Sequence, residues 1–182
     1  MEINGKYVTL RYVDLCDAKD IVKLRNDSKL NRYLSSQKPL TVENQIKWLL
    51  NNKNSNINYY FKIVRKKNGK FIIGTISLYN INNNEGEFGR YICIDPIGAI
   101  ESELLIIEFA FLRRRLGNIY CRTVMDNEKV IMQHRKFGFQ DSKVVYDPNI
   151  NRKLLIQELS YDKFKNFDYS NIKSLIDKFV GL

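Results

Sequence analysis

The chain has 182 residues, 44% of them hydrophobic, with 30 Lys+Arg against 20 Asp+Glu and a formal net charge of +10. That is the length and composition of one globular domain, not of a disordered tail. Nine Gly and three Pro exclude collagen-like or proline-rich architecture, no fixed-period repeat marks a solenoid, and no apolar run approaches the ~20 residues that cross a bilayer.

Residues 6–11 alternate as a short strand, and Asp17 offers a helix cap ahead of Ile21, Val22 and Leu24. Residues 26–36 are polar and turn-rich. Pro39 and the potential cap Thr41 then precede a second helical stretch carrying Ile46, Trp48, Leu49 and Leu50. Two β-branched and aromatic runs, residues 59–65 and 71–79, are joined through Lys67-Asn68-Gly69-Lys70, a hairpin signal. A third strand follows the turn at residues 82–86, giving three antiparallel strands in succession. From Glu101 the period becomes helical, with Leu104, Leu105, Ile107, Phe109, Phe111 and Leu112 forming a broad apolar surface that must be buried. Gly117-Asn118 ends that helix, residues 119–124 read as a strand, and Asn127 opens a helix closed by Gly138-Phe139. Two last strands, residues 142–146 and 153–159, flank the Asp147-Pro148-Asn149 turn, and Ile172, Leu175, Ile176 and Phe179 predict a terminal amphipathic helix.

Cys16, Cys93 and Cys121 are odd in number and widely spaced, so free thiols in a reducing cytosol are expected. One His and no Cys-x-x-Cys leave no ligand set for a structural zinc, and no metal cofactor is expected. The start Met-Glu-Ile-Asn-Gly carries no basic-then-apolar leader, so the expected location is cytoplasmic, without membrane contact. The positive charge favours anionic partners, but its cations are scattered and no nucleic-acid motif accompanies them; a small anionic ligand is expected rather than a nucleic acid.

Two segments carry chemistry. The strand Glu87-Phe88-Gly89-Arg90-Tyr91-Ile92 runs through Asp95-Pro96-Ile97-Gly98-Ala99 into the central helix, and Asn127-Glu128-Lys129-Val130 continues to His134-Arg135-Lys136-Phe137-Gly138-Phe139. A turn of small residues opening a helix lets backbone N–H groups and the helix dipole face an anion. Alone, it only turns the chain from a strand into a helix.

With the element order, these segments resemble the Gcn5-related N-acetyltransferase (GNAT) superfamily over about residues 6–159. The resemblance implies an α+β fold with a mixed, mostly antiparallel central sheet flanked by helices. It implies one acetyltransferase domain at residues 1–160 and a C-terminal helical extension, 161–182, packed on it. It also implies acetyl-CoA as acyl donor, held by Ile94, Gly98, Ala99, Ile100 and Asn127, and direct attack by an amine with no covalent enzyme intermediate. The family's pyrophosphate loop usually has two small residues; here Gly98-Ala99-Ile100 supplies one glycine in a loop a residue short. Seven residues after Asn127, where the family often has a Tyr that protonates the departing thiolate, stands His134. Its imidazole is permissive for that role, and its plain alternative is packing. Glu87 is the best carboxylate to take the amine's proton, or else a surface strand residue balancing Arg90.

Leu24-Arg25-Asn26-Asp27, Leu30-Asn31-Arg32-Tyr33 and Glu87-Phe88-Gly89 are most similar to the branch that acetylates nucleotide-linked amino sugars. Arg25, Asn26 and Trp48 would then bind a small anionic amine-bearing acceptor, since Arg pairs with phosphate and Trp stacks on a base or sugar; otherwise Trp48 is core and Arg25 surface. The competing acceptors are a protein N-terminus or a small amine. The non-enzyme alternative is an acyl-CoA sensor with a degenerate site. A homodimer is compatible with all of these.

Overall fold

The computed structural model describes residues 1–34, 39–52, 57–69 and 71–180. It is an α+β structure built on one eight-stranded sheet. The chain enters as a hairpin, β1 (Glu2–Asn4) with β2 (Val8–Tyr12). It then passes through α1 (Ala18–Asn26), a single turn α2 (Ser28–Asn31) and α3 (Val42–Asn52). The meander β3 (Tyr59–Arg65), β4 (Ile72–Asn82) and β5 (Glu85–Cys93) leads into the central helix α4 (Pro96–Glu108). After it come β6 (Asn118–Val124), α5 (Glu128–Lys136), the hairpin β7 (Gln140–Asp147) and β8 (Arg152–Ser160), and two closing helices, α6 (Tyr161–Asn166) and α7 (Ser170–Asp177). Strand order is β1-β2-β3-β4-β5-β6-β8-β7, and every pairing is antiparallel except β5 with β6.

Period-two alternation sends β3 side chains to two cores. Tyr59, Phe61 and Ile63 enter the larger one with α4, Phe137, Phe139 and Ile176, while Tyr60 joins Ala18, Ile21 and Leu49 of α1 and α3. Helix α4 is buried around its circumference, so its polar residues need internal partners. The Glu101 carboxylate finds them in the β1–β2 turn, accepting the backbone N–H groups of Lys6, Tyr7 and Val8 at 2.6, 2.8 and 2.6 Å.

Several local expectations change in the folded chain. Asp17 makes no side-chain cap for α1; Asp14 caps the preceding turn, and buried Asp17 pairs with Lys62 at 2.7 Å. The β3–β4 connection passes through a 3-10 turn at Lys66–Asn68 instead of a two-residue Asn-Gly turn, and Lys70 lies outside the described residues. The tight hairpin is at Asn83-Asn84, both with positive φ, between β4 and β5. Helix α4 starts at Pro96, five residues before its apolar period is readable, because Asp95 caps it and Pro is suited to the first turn. Helix α6 lies within the helical extension expected at residues 161–182, although no helical period marks its six residues.

Candidate active site

A cleft opens where two strands separate. β5 and β6 run parallel and pair only from Glu85–Glu87 to Asn118–Tyr120; beyond that no ladder joins them. On its other side β5 carries a bulge, where one residue of β4, Ile76, faces two of β5, Arg90 and Tyr91. Arg90 takes φ +48 there, a left-handed conformation unusual for a bulky side chain. The bulge turns β5 away from β6, and a cavity of about 750 Å³ fills the gap, walled by residues of both strands. Open strand edges offer N–H and C=O groups to an extended amide-bearing ligand as a neighbouring strand would.

One half of the cleft is basic and aromatic. Arg25, Lys29, Arg32, Arg90 and Arg122 line the cavity, against two carboxylates, Glu87 and Asp147, among the described residues. Glu87 is almost fully buried. Arg122 grips it with Nε to Oε1 at 2.8 Å and Nη2 to Oε2 at 2.9 Å. Tyr79 Oη donates to Oε1 at 2.6 Å and Asn80 Nδ2 to Oε2 at 3.0 Å. Each carboxylate oxygen therefore already accepts two hydrogen bonds, and taking a proton means giving one up. Burial and the neighbouring Glu87 charge push the Tyr79 phenol well up, while the bonds to Glu87 hold the Arg122 guanidinium strongly protonated. Arg90 is wedged between the Tyr79 and Trp48 rings, 4.0 and 4.8 Å from their centroids, and Nη1 donates to Asn58 Oδ1 at 2.8 Å. Burial lowers its pKa from the usual guanidinium value.

The other half is formed by Ala99 of α4, Asn127 at the start of α5, and His134 about two turns further along that helix. Asn127 makes no side-chain capping bond and lines the cavity. His134 is 2% exposed, its Nδ1 2.7 Å from Glu103 Oε1, and Gln133 Nε2 donates to the second Glu103 oxygen. Burial by itself would depress the imidazole, but the Glu103 carboxylate, with a further contribution from the Cys121 thiol, raises it to about 10.

Of the residues expected at the site, Arg25, Trp48, Glu87, Ala99, Asn127 and His134 line this one cavity. Asn26, Ile94, Gly98 and Ile100 do not. Asn26 instead braces the chain before α3, exchanging hydrogen bonds with the backbone of Leu40 at 2.8 and 2.9 Å. Ile94 is 55% exposed outside the cleft, and Ile100 packs on the core. At Gly98 the N–H is already taken by Asp95 Oδ1 at 2.8 Å, and Ala99 N–H by Asp95 O at 2.8 Å. The Gly98 N–H faces an anion only if the Asp95 side chain turns away, and the Ala99 N–H stays in the helix ladder. Trp48 is half-buried against Tyr60, neither pure core nor pure surface.

The open β5–β6 gap presents strand edges of the kind an extended diamide pairs with, whereas the self-capped start of α4 offers a diphosphate less than expected. Sequence reasoning missed Glu103, Gln133, Tyr79 and Arg122. Only Glu103 left a signal, a carboxylate inside the broad apolar surface of α4, which must have a buried partner. Among the described residues, no cluster of three or more His, Cys, Asp or Glu is arranged to hold a metal ion, and no helix is long and apolar enough to cross a membrane.

The profile of the acetyltransferase (GNAT) domain matches residues 8–140. No curated protein sequence matches the chain significantly. Among solved structures, a nucleotide-linked sugar GNAT, apo FdhC, superposes with TM-score 0.80 at 28% identity, over 100% of this chain and 99% of that one. A GCN5-related N-acetyltransferase from Brucella melitensis gives 0.78 at 16% identity, over 100% and 86% of the two chains. A spermidine N-acetyltransferase from Vibrio cholerae, in complex with CoA and spermine, gives 0.77 at 18% identity over 89% and 100%.

Proposed function

Because the chain belongs to the GNAT acetyltransferase family, whose members use acetyl-CoA, we propose that it transfers the acetyl group to the primary amine of a nucleotide-linked amino sugar. The observation that carries the acceptor class is the charge of the cleft: five basic side chains against two carboxylates, one of which, Glu87, is already paired with Arg122. A nucleotide diphosphate is drawn to this excess of positive charge, and Trp48, with Arg90 over its ring, lines the cavity beside it. The likeness to a nucleotide-linked sugar GNAT over the whole chain supports the same reading. The spermidine enzyme shares the fold only, and a polycation approaching this basic cleft in a +10 protein is repelled. A protein N-terminus is the alternative enzymatic acceptor.

In this reading Arg25 and Trp48 hold the nucleotide side of the acceptor, and Ala99 and Asn127 contact the acyl donor. Glu87 takes the amine's proton, directly or through water, by releasing one of its four hydrogen bonds. His134 gives its proton to the departing thiolate. Binding energy from the remote diphosphate holds the amine near the thioester, so removing the nucleotide should lower kcat/KM. Mass-spectrometric assay of acetyl transfer to nucleotide-linked amino sugars, the same free sugars, peptides and polyamines tests this. Equal or faster transfer to free sugars or peptides overturns the acceptor. Absence of turnover with every amine, alongside a melting shift with acetyl-CoA, points to a sensor.

A further inference from the structure

Glu103 with His134 is an ionisable pair at the cleft whose carboxylate has no role in the sequence motifs or in the family resemblance. Their side chains are 0% and 3% exposed, on α4 and α5 respectively, and the ring lines the cavity. A carboxylate with no solvent needs a charge partner or a proton, and here both oxygens are occupied, Oε1 by the imidazole and Oε2 by Gln133. The ring is held edge-on against Phe88, with centroids 5.1 Å apart, and tilted against Phe139 at 5.6 Å. The ring is thus fixed between two aromatic side chains, with the Glu103 carboxylate and the Cys121 thiol as its polar neighbours.

We propose that Glu103 is the positioning residue of the reaction: by binding Nδ1 it fixes the orientation and tautomer of His134, leaving Nε2 as the atom through which the imidazole acts on the cleft. The assignment rests on acetyl transfer with His134 as proton donor. The groups facing the ring are Glu103 from α4 and Cys121 from β6; those facing Glu103 are His134, Tyr91 from β5, and Tyr169 ahead of α7. Tyr91 and Tyr169 are both raised, chiefly by burial and in part by the Glu103 charge itself, and stay neutral, so of these three groups the imidazole is the one that carries a charge opposite to Glu103. As the amine nitrogen bonds to the acyl carbon and the carbon–sulfur bond breaks, Nε2–H protonates the thiolate. The ring is left neutral with Nδ1–H still on Glu103 and regains its proton from solvent. Holding an imidazole by a buried carboxylate is the logic of other acid–base triads.

His134 is the only histidine in the chain, so NMR of histidine-labelled protein reads this ring with no assignment step. The expected wild-type result is an imidazolium that persists at pH 8 and titrates near 10. In Glu103→Gln the ring should titrate at or below the ordinary value of ~6.5, with roughly 10²-fold less turnover at pH 8.5 and recovery toward acid pH. A neutral ring in the wild type at pH 7 overturns the proposal without any substitution. So does a Glu103→Gln variant whose ring titrates unchanged, or whose activity falls equally at every pH. An acetyl group trapped on Cys121 by acetyl-CoA alone overturns it too, since the ring would then serve the thiol. Failure of the underlying reading looks different: no amine is acetylated while the NMR titration stands.

Discussion

At the scale of single residues, burial and partners separate side chains that look alike in the sequence. His134→Phe keeps the ring packing against Phe88 and Phe139 but removes the proton. It should lower kcat by about 10²-fold, the lower end of what general acid catalysis supplies, while calorimetry finds acetyl-CoA affinity nearly unchanged. An unchanged rate would return the ring to a packing role. Gly98 shows the converse. A Cβ there would lie 2.7 Å from Ile73 Cδ1 and 3.4 Å from Cys93 Sγ, so a substitution at Gly98 probes packing under α4 before it probes binding. Asp95 is the cleaner site. Asp95→Ala removes the cap on Gly98 and the acceptor of the Tyr7 hydroxyl. It should cost ~1–2 kcal/mol, read as a lower midpoint in urea. The same change uncovers the Gly98 N–H, so acetyl-CoA should bind the variant at least as tightly as the wild type if its diphosphate is received there.

At the scale of elements, the decisive contacts tie distant pieces of chain together. Helix α4 presents two buried carboxylates, Glu101 toward the β1–β2 turn and Glu103 toward α5. Glu101 accepts three successive backbone N–H groups in that turn. Replacing it with Gln turns an amide donor toward those donors and should destabilise the fold by roughly 2–4 kcal/mol, measured by urea unfolding. A loss below ~1 kcal/mol would mean that water or a shifted turn satisfies the N–H groups. Helix α5 ends on Gly138 at φ +92, where Phe139 N–H returns to His134 O at 3.1 Å. That is a left-handed helix terminus of the kind glycine favours, and it seats Phe139 beside the imidazole.

At the scale of the whole molecule, protons and salt report on the same cleft. A native pKa for His134 raised from 6.5 to about 10 means that the folded protein holds more protons than the unfolded chain between those values. Its contribution is complete below pH 6.5 and is lost as pH rises through 10, so stability should fall across that window. Tyr12, pushed up to about 12 by burial, continues the decline above pH 10. In His134→Phe the slope between pH 6.5 and 10 should flatten; an identical slope would place the linkage elsewhere. For a nucleotide-linked acceptor, kcat/KM should drop as ionic strength rises while an uncharged amine responds little, because the cleft's excess of cations over carboxylates steers only the anion. Equal salt dependence for both acceptors would remove the electrostatic argument.

The order of elements was legible because periodicity is local: alternation in residues 59–65, helical spacing after Glu101 and Asn127, and the turn residues between them depend on near neighbours alone. The family resemblance was carried by local segments too, and six of the ten residues expected at the site do line one cavity. Side-chain partnership was not legible. Nothing near Asn26 in sequence points to Leu40, nothing near Glu87 to Arg122, and nothing near His134 to Glu103, which lies thirty-one positions away. The last two form because β5 and β6 part after three paired residues and because α4, with no face left to solvent, must satisfy its carboxylates inside the protein. Composition fixes how many charges the chain carries; the separation of two strands and the burial of one helix decide which of them meet.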